Sequence, residues 1–403
     1  MSRTAIEWAK RPGLPASHFV DNAIFTSEEI FREEKEKIFD RVWKFVCHDQ
    51  ELPEPFDYRT TTLAGTPLIV SRDGEGRVRG FVNACSHRGS LVLRRPRGNA
   101  RRWVCPFHQW VYDSGGNCVA IPRNEAYEHC DVATATMGLR EVRTEVRLGL
   151  VFVNLDDECE PLDDFLSGCL VSLEECMGTR TLEPFHFHRI VLNTNWKLWQ
   201  LTNLEPYHEG MHVYNVKTNM SQPNYMERRI RPRPRGHSFL ESFAPDYKLS
   251  RAGKAGESRT RGPFPGLAAD EWRLVNIFPD VMVNVRTTVA RVDCVIPLGP
   301  TRTVVEYRAL GIKGESADDR EMRMRHHNEI WGPFGRNLPE DNVASEIQMA
   351  TMRDGSSVFS IHAREEDERG QDDIPLRNYF AEWSRRIGRD PSDPFAGRPA
   401  ALH

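Results

Sequence analysis

Two cysteines and two histidines, in the pattern C-x-H-x17-C-x2-H, carry the clearest chemical signal in this sequence. They are Cys85, His87, Cys105 and His108. Two thiolates and two imidazoles on two short loops can hold a [2Fe-2S] cluster, with both cysteines on one iron and both histidines on the other. Because imidazoles replace two thiolates, such a cluster has a higher reduction potential than an all-cysteine cluster. The pattern therefore predicts a carrier of single electrons.

A Cys2His2 zinc site uses the same four residue types and is the alternative interpretation. Zinc sites usually pair C-x2-4-C with H-x3-5-H, whereas each loop here supplies one cysteine and one histidine. This distribution favours an iron–sulfur centre of the Rieske type over a zinc site.

A second candidate metal site is the pair His208 and His212, in a Trp-rich stretch later in the chain. Residues four apart share one face of a helix, so both imidazoles can reach one ion. Two histidines and a carboxylate on one face of Fe(II) leave positions open for O2 and substrate. The pair alone is weak evidence, but a chain that builds a one-electron carrier needs an electron acceptor, and iron with O2 is the natural one.

The elements that position the first site are predicted to be short strands. Thr26 and Glu29 have capping-box spacing, so we expect a helix over residues 26–42. From about 44 to 155, short β-like runs alternate with turn residues, which predicts a small antiparallel β domain.

The second half of the chain mixes helical and strand patterns. Helical periodicity is expected at 195–213, near 315–331 and near 340–353, and β-like runs at 281–311. This part of the chain is therefore predicted to be an α+β domain.

Length and composition agree with a soluble two-domain protein. The chain has 403 residues, of which 39% are hydrophobic and 28% charged, and its net charge is −4 without a basic block, so nucleic acid is not an expected partner. The longest apolar stretch, residues 148–155, is far shorter than the roughly 20 residues of a membrane helix, and the start has no apolar signal core. Nine unevenly spaced cysteines do not resemble a secreted disulfide framework. We expect a cytoplasmic protein without membrane association.

Over essentially its whole length, the sequence resembles the α subunits of Rieske non-haem iron ring-hydroxylating oxygenases. Besides the Cys/His pattern, the resemblance is carried by Asn195-Trp196-Lys197, Tyr207-His208, and Gly332-Pro333-Phe334-Gly335 followed by Glu340-Asp341. By its position in the last motif, Asp341 is implied as the third iron ligand beside His208 and His212. Glu340 is the rival candidate.

The resemblance implies an α+β fold with three parts. Residues 1–43 would be a helical segment that packs on the catalytic domain. Residues 44–155 would be an antiparallel β Rieske [2Fe-2S] domain, and residues 156–403 a helix-grip mononuclear-iron domain with a C-terminal arm. The helix-grip domain is an antiparallel sheet with helices.

The family also implies a head-to-tail assembly, either a homotrimer or an α3β3 complex with a small β subunit. In this assembly an acidic residue, here Glu205, hydrogen-bonds a cluster histidine and an iron histidine across the subunit interface. Two departures stand out. Most members have Asp at the position of Glu205, and most have four residues between the iron histidines, whereas three separate His208 from His212. His237 is the alternative second ligand.

The implied reaction takes electrons from NAD(P)H through a reductase, with or without a ferredoxin, and uses Fe(II) and O2 to oxidise a small organic substrate. Five arginines after the iron histidines could attract a carboxylate or sulfonate, although a solvated charged loop is the favoured explanation: Arg228, Arg229, Arg231, Arg233 and Arg235. An aromatic acid is the preferred substrate, and an alkyl sulfonate or quaternary amine the alternative.

Two other function classes remain open at this point. A Rieske electron carrier with an accessory domain would have the cluster without the mononuclear iron. A non-catalytic binding protein would hold a ligand in its α+β domain without consuming O2.

Overall fold

Two compact units make up the computed structural model. The small unit comprises residues 39–162 and 182–184, and so includes all of the segment 44–155. The large unit comprises the described residues of 1–38, 163–181 and 185–403. The structure describes residues 10–205, 207–212, 227–241, 243–244, 262–268, 271–335, 337–364 and 372–396.

Short strands separated by turns build the small unit. The strands of the first part of the chain are β1 (Phe19–Asp21), β2 (Lys44–His48), β3 (Asp57–Leu63), β4 (Thr66–Arg72), β5 (Val78–Val82), β6 (Arg97–Asn99), β7 (Arg102–Val104), β8 (Val111–Asp113), β9 (Cys118–Ala120), β10 (Glu141–Arg147) and β11 (Leu150–Asn154). One antiparallel sheet has the order β2-β11-β10-β5-β4-β3-β6, and a second has the order β7-β8-β9. The predicted antiparallel β character of this segment is confirmed.

An aromatic core lies between these strands. Trp103 packs edge-on against Phe81, with ring centroids 6.1 Å apart. The same buried cluster includes Tyr112 and the cysteines Cys85 and Cys105. The core therefore anchors the two loops that carry the Cys/His pattern.

A seven-stranded antiparallel sheet forms the centre of the large unit. The strands of the second part of the chain are β12 (Leu182–Leu192), β13 (Ile230–Pro232), β14 (Ser238–Leu240), β15 (Trp272–Ile277), β16 (Val281–Arg286), β17 (Val289–Gly299), β18 (Arg302–Ile312) and β19 (Phe359–Ile361). The sheet order is β12-β18-β17-β16-β15-β14-β13, and β1 pairs with β19 outside it. Strands β16 to β18 occupy the predicted β-like region 281–311.

The α-helices in the described part of the chain are α1 (Ala23–Thr26), α2 (Glu28–Glu34), α3 (Leu162–Leu166), α4 (Trp196–Leu201), α5 (Ala317–Ile330), α6 (Leu338–Arg353) and α7 (Ile374–Ile387). Helices α5 and α6 confirm the two helices predicted near 315–331 and 340–353. No described helix is long and apolar enough to cross a lipid bilayer. The tail beyond residue 396 lies outside the described residues.

Two helix predictions were wrong in detail. The predicted cap Thr26 ends α1, and Ser27 caps α2 instead, because its hydroxyl accepts a hydrogen bond from the amide of Ile30 at 3.3 Å. The predicted helix over 195–213 is not continuous. Helix α4 ends at Leu201, and a separate 3-10 helix follows at Tyr207–Met211.

A buried ion pair ties α2 to α4 in the large unit. Lys197 Nζ donates to Glu34 Oε1 at 2.6 Å, and both side chains are fully buried. The indole N–H groups of Trp196 and Trp383 donate to the same carboxylate at 2.8 and 2.7 Å. These hydrogen bonds satisfy the carboxylate in a low-dielectric interior, where an unpaired charge would be costly. The ion pair thus fixes α4, which leads directly to the segment of His208 and His212.

Candidate metal centres

The two loops of the small unit share one backbone pattern. In each, the cysteine amide donates to the carbonyl five residues later, and the amide four residues later donates to the cysteine carbonyl. These bonds are Cys85 N to Ser90 O, Gly89 N to Cys85 O, Cys105 N to Trp110 O and Gln109 N to Cys105 O, at 2.8 to 3.0 Å. Gly89 and Gln109 have φ of +72° and +61°, which closes each loop tightly.

The four predicted cluster residues divide by burial. Cys85 and Cys105 are 4% and 1% exposed, whereas His87 and His108 are partly exposed. The two imidazole rings lie 4.4 Å apart, and His87 stacks on Trp110 at 4.9 Å. The cysteine side of the site therefore faces the core, and the histidine side faces the surface of the small unit.

The side chains present fit a Rieske cluster. His87 Nδ1 is buried and has no hydrogen-bond partner among the described residues, which leaves its lone pair for a metal. The Tyr112 hydroxyl lies 3.1 Å from Cys85 Sγ. Burial raises the pKa of the Cys85 thiol, so a bound cation such as iron is needed to keep this side chain in the thiolate form.

In the large unit, His208, His212 and Asp341 converge. Asp341 Oδ1 lies 3.5 Å from His208 Nε2 and 3.4 Å from His212 Nε2. One ligand atom from each residue lies within 4.8 Å of the others. Asp341 Oδ1 is buried without a hydrogen bond of ordinary geometry. Two imidazoles and one carboxylate that face one point fit a mononuclear Fe(II) ion.

A carboxylate contacts the Nδ1 atom of each of the two imidazoles. Glu205 Oε1 lies 2.7 Å from His208 Nδ1, and Glu340 Oε2 lies 2.8 Å from His212 Nδ1. Each contact fixes the ring so that its Nε2 faces Asp341. Burial lowers the pKa of His208, but Asp341 and Glu205 outweigh it and raise the pKa to about 10. Glu340 contacts the proposed ligand His212 but is not one of the three converging residues. The structure therefore favours Asp341 over Glu340 as the carboxylate ligand.

The arrangement of His237 does not favour it as the second ligand. Its Nε2 donates to the carbonyl of Phe165 at 2.7 Å, and its Nδ1 accepts from the amide of Phe278 at 2.9 Å. Both ring nitrogens are therefore used in the interior of the protein. Burial lowers the pKa of His237 to about 4, so the ring stays neutral.

One buried amide positions Asp341. The side-chain oxygen of Asn342 accepts hydrogen bonds from Trp199 Nε1 at 3.1 Å and from the Tyr307 hydroxyl at 2.8 Å. Trp199 lies on α4, Tyr307 on β18, and Asn342 in the first turns of α6. The amide thereby fixes the start of α6, and with it the neighbouring Asp341.

A cavity of about 70 Å³ adjoins the three converging residues. Apart from them, its wall includes Arg228, Arg286, Arg291, Asn284, Trp272 and Trp331. Of the five arginines singled out in the sequence, only Arg228 is among the residues that line it.

The sequence analysis missed the other two arginines of the cavity, which lie on strands β16 and β17. Both strands are mostly apolar, but β16 is interrupted by Asn284 and Arg286, and β17 by Arg291 and Asp293. That interruption was the available signal, but it does not reveal which face of the sheet borders a cavity.

Comparison with known proteins identifies a family for each half of the chain. Residues 42–138 match the family model of the Rieske [2Fe-2S] domain, and residues 179–368 match that of the ring hydroxylating alpha subunit (catalytic domain). The chain is 45% identical to the 2-aminobenzenesulfonate 2,3-dioxygenase subunit alpha of Alcaligenes sp., over 96% of this chain and 98% of that protein. It is 38% identical to the methanesulfonate monooxygenase hydroxylase subunit alpha of Methylosulfonomonas methylovora, over 98% and 97%.

Solved structures share the fold at low sequence identity. Naphthalene 1,2-dioxygenase from Rhodococcus sp. matches with a TM-score of 0.80 and 21% identity, over 92% of this chain and 94% of that one. A quaternary ammonium Rieske monooxygenase matches with a TM-score of 0.76 and 20% identity, over 94% and 100%. The metal-binding patterns, the two family models and the full-length relatives show that this chain belongs to the Rieske non-haem iron ring-hydroxylating oxygenases, as an α subunit.

Proposed function

We propose that this oxygenase acts on an organic sulfonate. The observation that carries the proposal is the cavity beside His208, His212 and Asp341, whose wall contains three arginines. Two full-length relatives are named as oxygenases of 2-aminobenzenesulfonate and methanesulfonate. An aromatic sulfonic acid agrees with the expected aromatic acid, and an alkyl sulfonate is the second candidate. The positive charge of the wall disfavours a quaternary amine.

The electron-carrying cluster is assigned to Cys85, His87, Cys105 and His108, in a Rieske domain over 44–155. The proposal is supported by the paired loops, the buried cysteines and the unpartnered Nδ1 of His87. Because the histidines lie on the exposed side, they are the natural exit for an electron from this domain.

The mononuclear iron is assigned to His208, His212 and Asp341, in a catalytic domain over 156–403. When bound, this iron supplies the place where O2 is reduced and oxygen enters the substrate. Glu205 and Glu340 hold the two imidazoles in the ligating orientation. Within the segment 1–43, the described residues up to 38 are assigned to the catalytic domain, since they belong to the large unit and Glu34 pairs with Lys197 there, whereas residues 39–43 belong to the small unit.

The enzyme takes its electrons from NAD(P)H through a reductase, with or without a ferredoxin, and we propose a homotrimer or an α3β3 assembly. In that assembly Glu205 would connect His208 to a cluster histidine of the neighbouring subunit. The contact of Glu205 Oε1 with His208 Nδ1 at 2.7 Å supports the first half of this bridge.

The substrate proposal predicts O2 consumption that depends on a sulfonate. With NADH and a suitable reductase, 2-aminobenzenesulfonate or methanesulfonate should stimulate O2 uptake and give an oxygenated product. The matched carboxylates, 2-aminobenzoate and acetate, are the controls. If a carboxylate stimulated O2 uptake and neither sulfonate did, the proposal would be contradicted.

The ligand assignment predicts that His212→Ala loses the mononuclear iron and keeps the cluster. Removing one of three protein ligands should cost about one iron per chain while the visible spectrum of the cluster is unchanged. His237→Gln is the control and should keep its iron. If His212→Ala kept the iron and His237→Gln lost it, the ligand would be His237.

The bridge assignment predicts that Glu205→Gln keeps both metal centres but slows the passage of electrons between them. The change removes the negative charge that connects the two histidines. Stopped-flow oxidation of the reduced cluster, with substrate and O2 present, measures this rate. Glu205→Asp restores the carboxylate and should retain most of the rate, whereas a wild-type rate in Glu205→Gln would rule out the bridge.

A further inference from the structure

We propose that Arg286, Asn284 and Arg228 form the subsite that binds the sulfonate group, with Trp272 as the residue that positions them. This inference rests on the proposed sulfonate substrate and assigns its specificity to named side chains. None of the four residues is assigned to a metal, so the subsite can be tested by binding without turnover.

Arg286 has no compensating anion among the residues that the structure describes. It lies at the end of β16, directly opposite Trp272 of β15, and its guanidinium is 4.1 Å from the centroid of the Trp272 ring. Its Nε is buried and has no hydrogen-bond partner in the described part of the chain. The aromatic ring offsets part of the cost of burying this charge. An anionic ligand in the cavity would supply the missing counter-charge and hydrogen-bond acceptors.

Arg291 lines the same cavity but is already neutralised. Its Nε donates to Asp293 Oδ2 at 2.7 Å, and both side chains are buried. The internal ion pair satisfies Arg291 without a ligand. Arg286 is therefore the stronger candidate for binding an external anion.

Asn284 presents a hydrogen-bond donor beside Arg286. The two residues are two positions apart on β16, so they lie on the same face of the sheet. Trp272 Nε1 donates to Asn284 Oδ1 at 2.8 Å. An indole N–H can only donate, so the amide oxygen must face Trp272. The Asn284 NH2 group makes no hydrogen bond with a described residue, and this side chain lines the cavity.

Arg228 completes the subsite. It is 4% exposed, and its guanidinium lies 5.3 Å from the centroid of the Trp272 ring. The Trp272 side chain thus contacts all three polar groups, two through its ring and one through its N–H. Two guanidinium groups and an amide can donate hydrogen bonds to all three oxygens of a sulfonate anion, while a carboxylate has one oxygen fewer.

The test is the affinity of iron-loaded, anaerobic holoenzyme for 2-aminobenzenesulfonate, measured by calorimetry. Arg286→Met should weaken binding by about 30-fold or more, the effect of removing one member of a buried charge pair. Asn284→Asp keeps the acceptor for Trp272 but replaces the donor with a carboxylate, and should weaken binding at least as much. Arg229→Met is the matched control: it removes the same charge from an exposed neighbour of Arg228 that does not line the cavity, and should bind like wild type.

The outcomes separate the subsite from the substrate class. If wild type binds the sulfonate and Arg286→Met and Asn284→Asp bind it equally well, the subsite is wrong and the substrate class stands. If wild type binds neither 2-aminobenzenesulfonate nor methanesulfonate, both proposals fail. Arg286→Lys is a further control for misfolding, because it keeps the positive charge but lacks the planar guanidinium group. Its affinity should lie between those of wild type and Arg286→Met.

Discussion

The side-chain amide of Asn342 accepts the two hydrogen bonds on which the proposed metal site of the large unit depends. It receives one hydrogen bond from α4 through Trp199 and one from β18 through Tyr307, and it lies beside Asp341 on α6. Three elements that are distant in sequence therefore meet at one buried oxygen. Without these two hydrogen bonds, no contact through Asn342 would fix the position of α6, which carries Asp341, relative to α4, which precedes the two histidines.

The two units differ in where they place the side chains that would bind metal and in the charges around them. The small unit buries its cysteines and leaves its histidines towards the surface, which suits a group that must pass electrons outward. In the large unit, carboxylates stand behind both imidazoles, and arginines line the adjoining cavity. Negative charge thus lies behind the proposed metal ligands, and positive charge lies where the proposed acidic substrate would bind.

The sequence was most informative where the chemistry is local. The cluster pattern could be predicted because each loop carries its cysteine and histidine within four residues. The choice between Glu340 and Asp341 needed the structure, because adjacent residues at the start of α6 point in different directions. The arginine of β16 could not be placed from the sequence, since its environment comes from pairing with Trp272, fourteen positions earlier. The prediction of a continuous helix over 195–213 failed because the α-helix ends at Leu201 and a separate 3-10 helix, Tyr207–Met211, follows it.

The central claim, two different iron centres in one chain, is tested most directly by the iron and acid-labile sulfide content of anaerobically purified protein, together with its reduced EPR spectrum. About three irons and about two sulfides per chain, with a Rieske-type signal, is the predicted result. About two irons and two sulfides after Fe(II) reconstitution would instead indicate an electron carrier without a mononuclear site. Zinc without sulfide would contradict the account entirely.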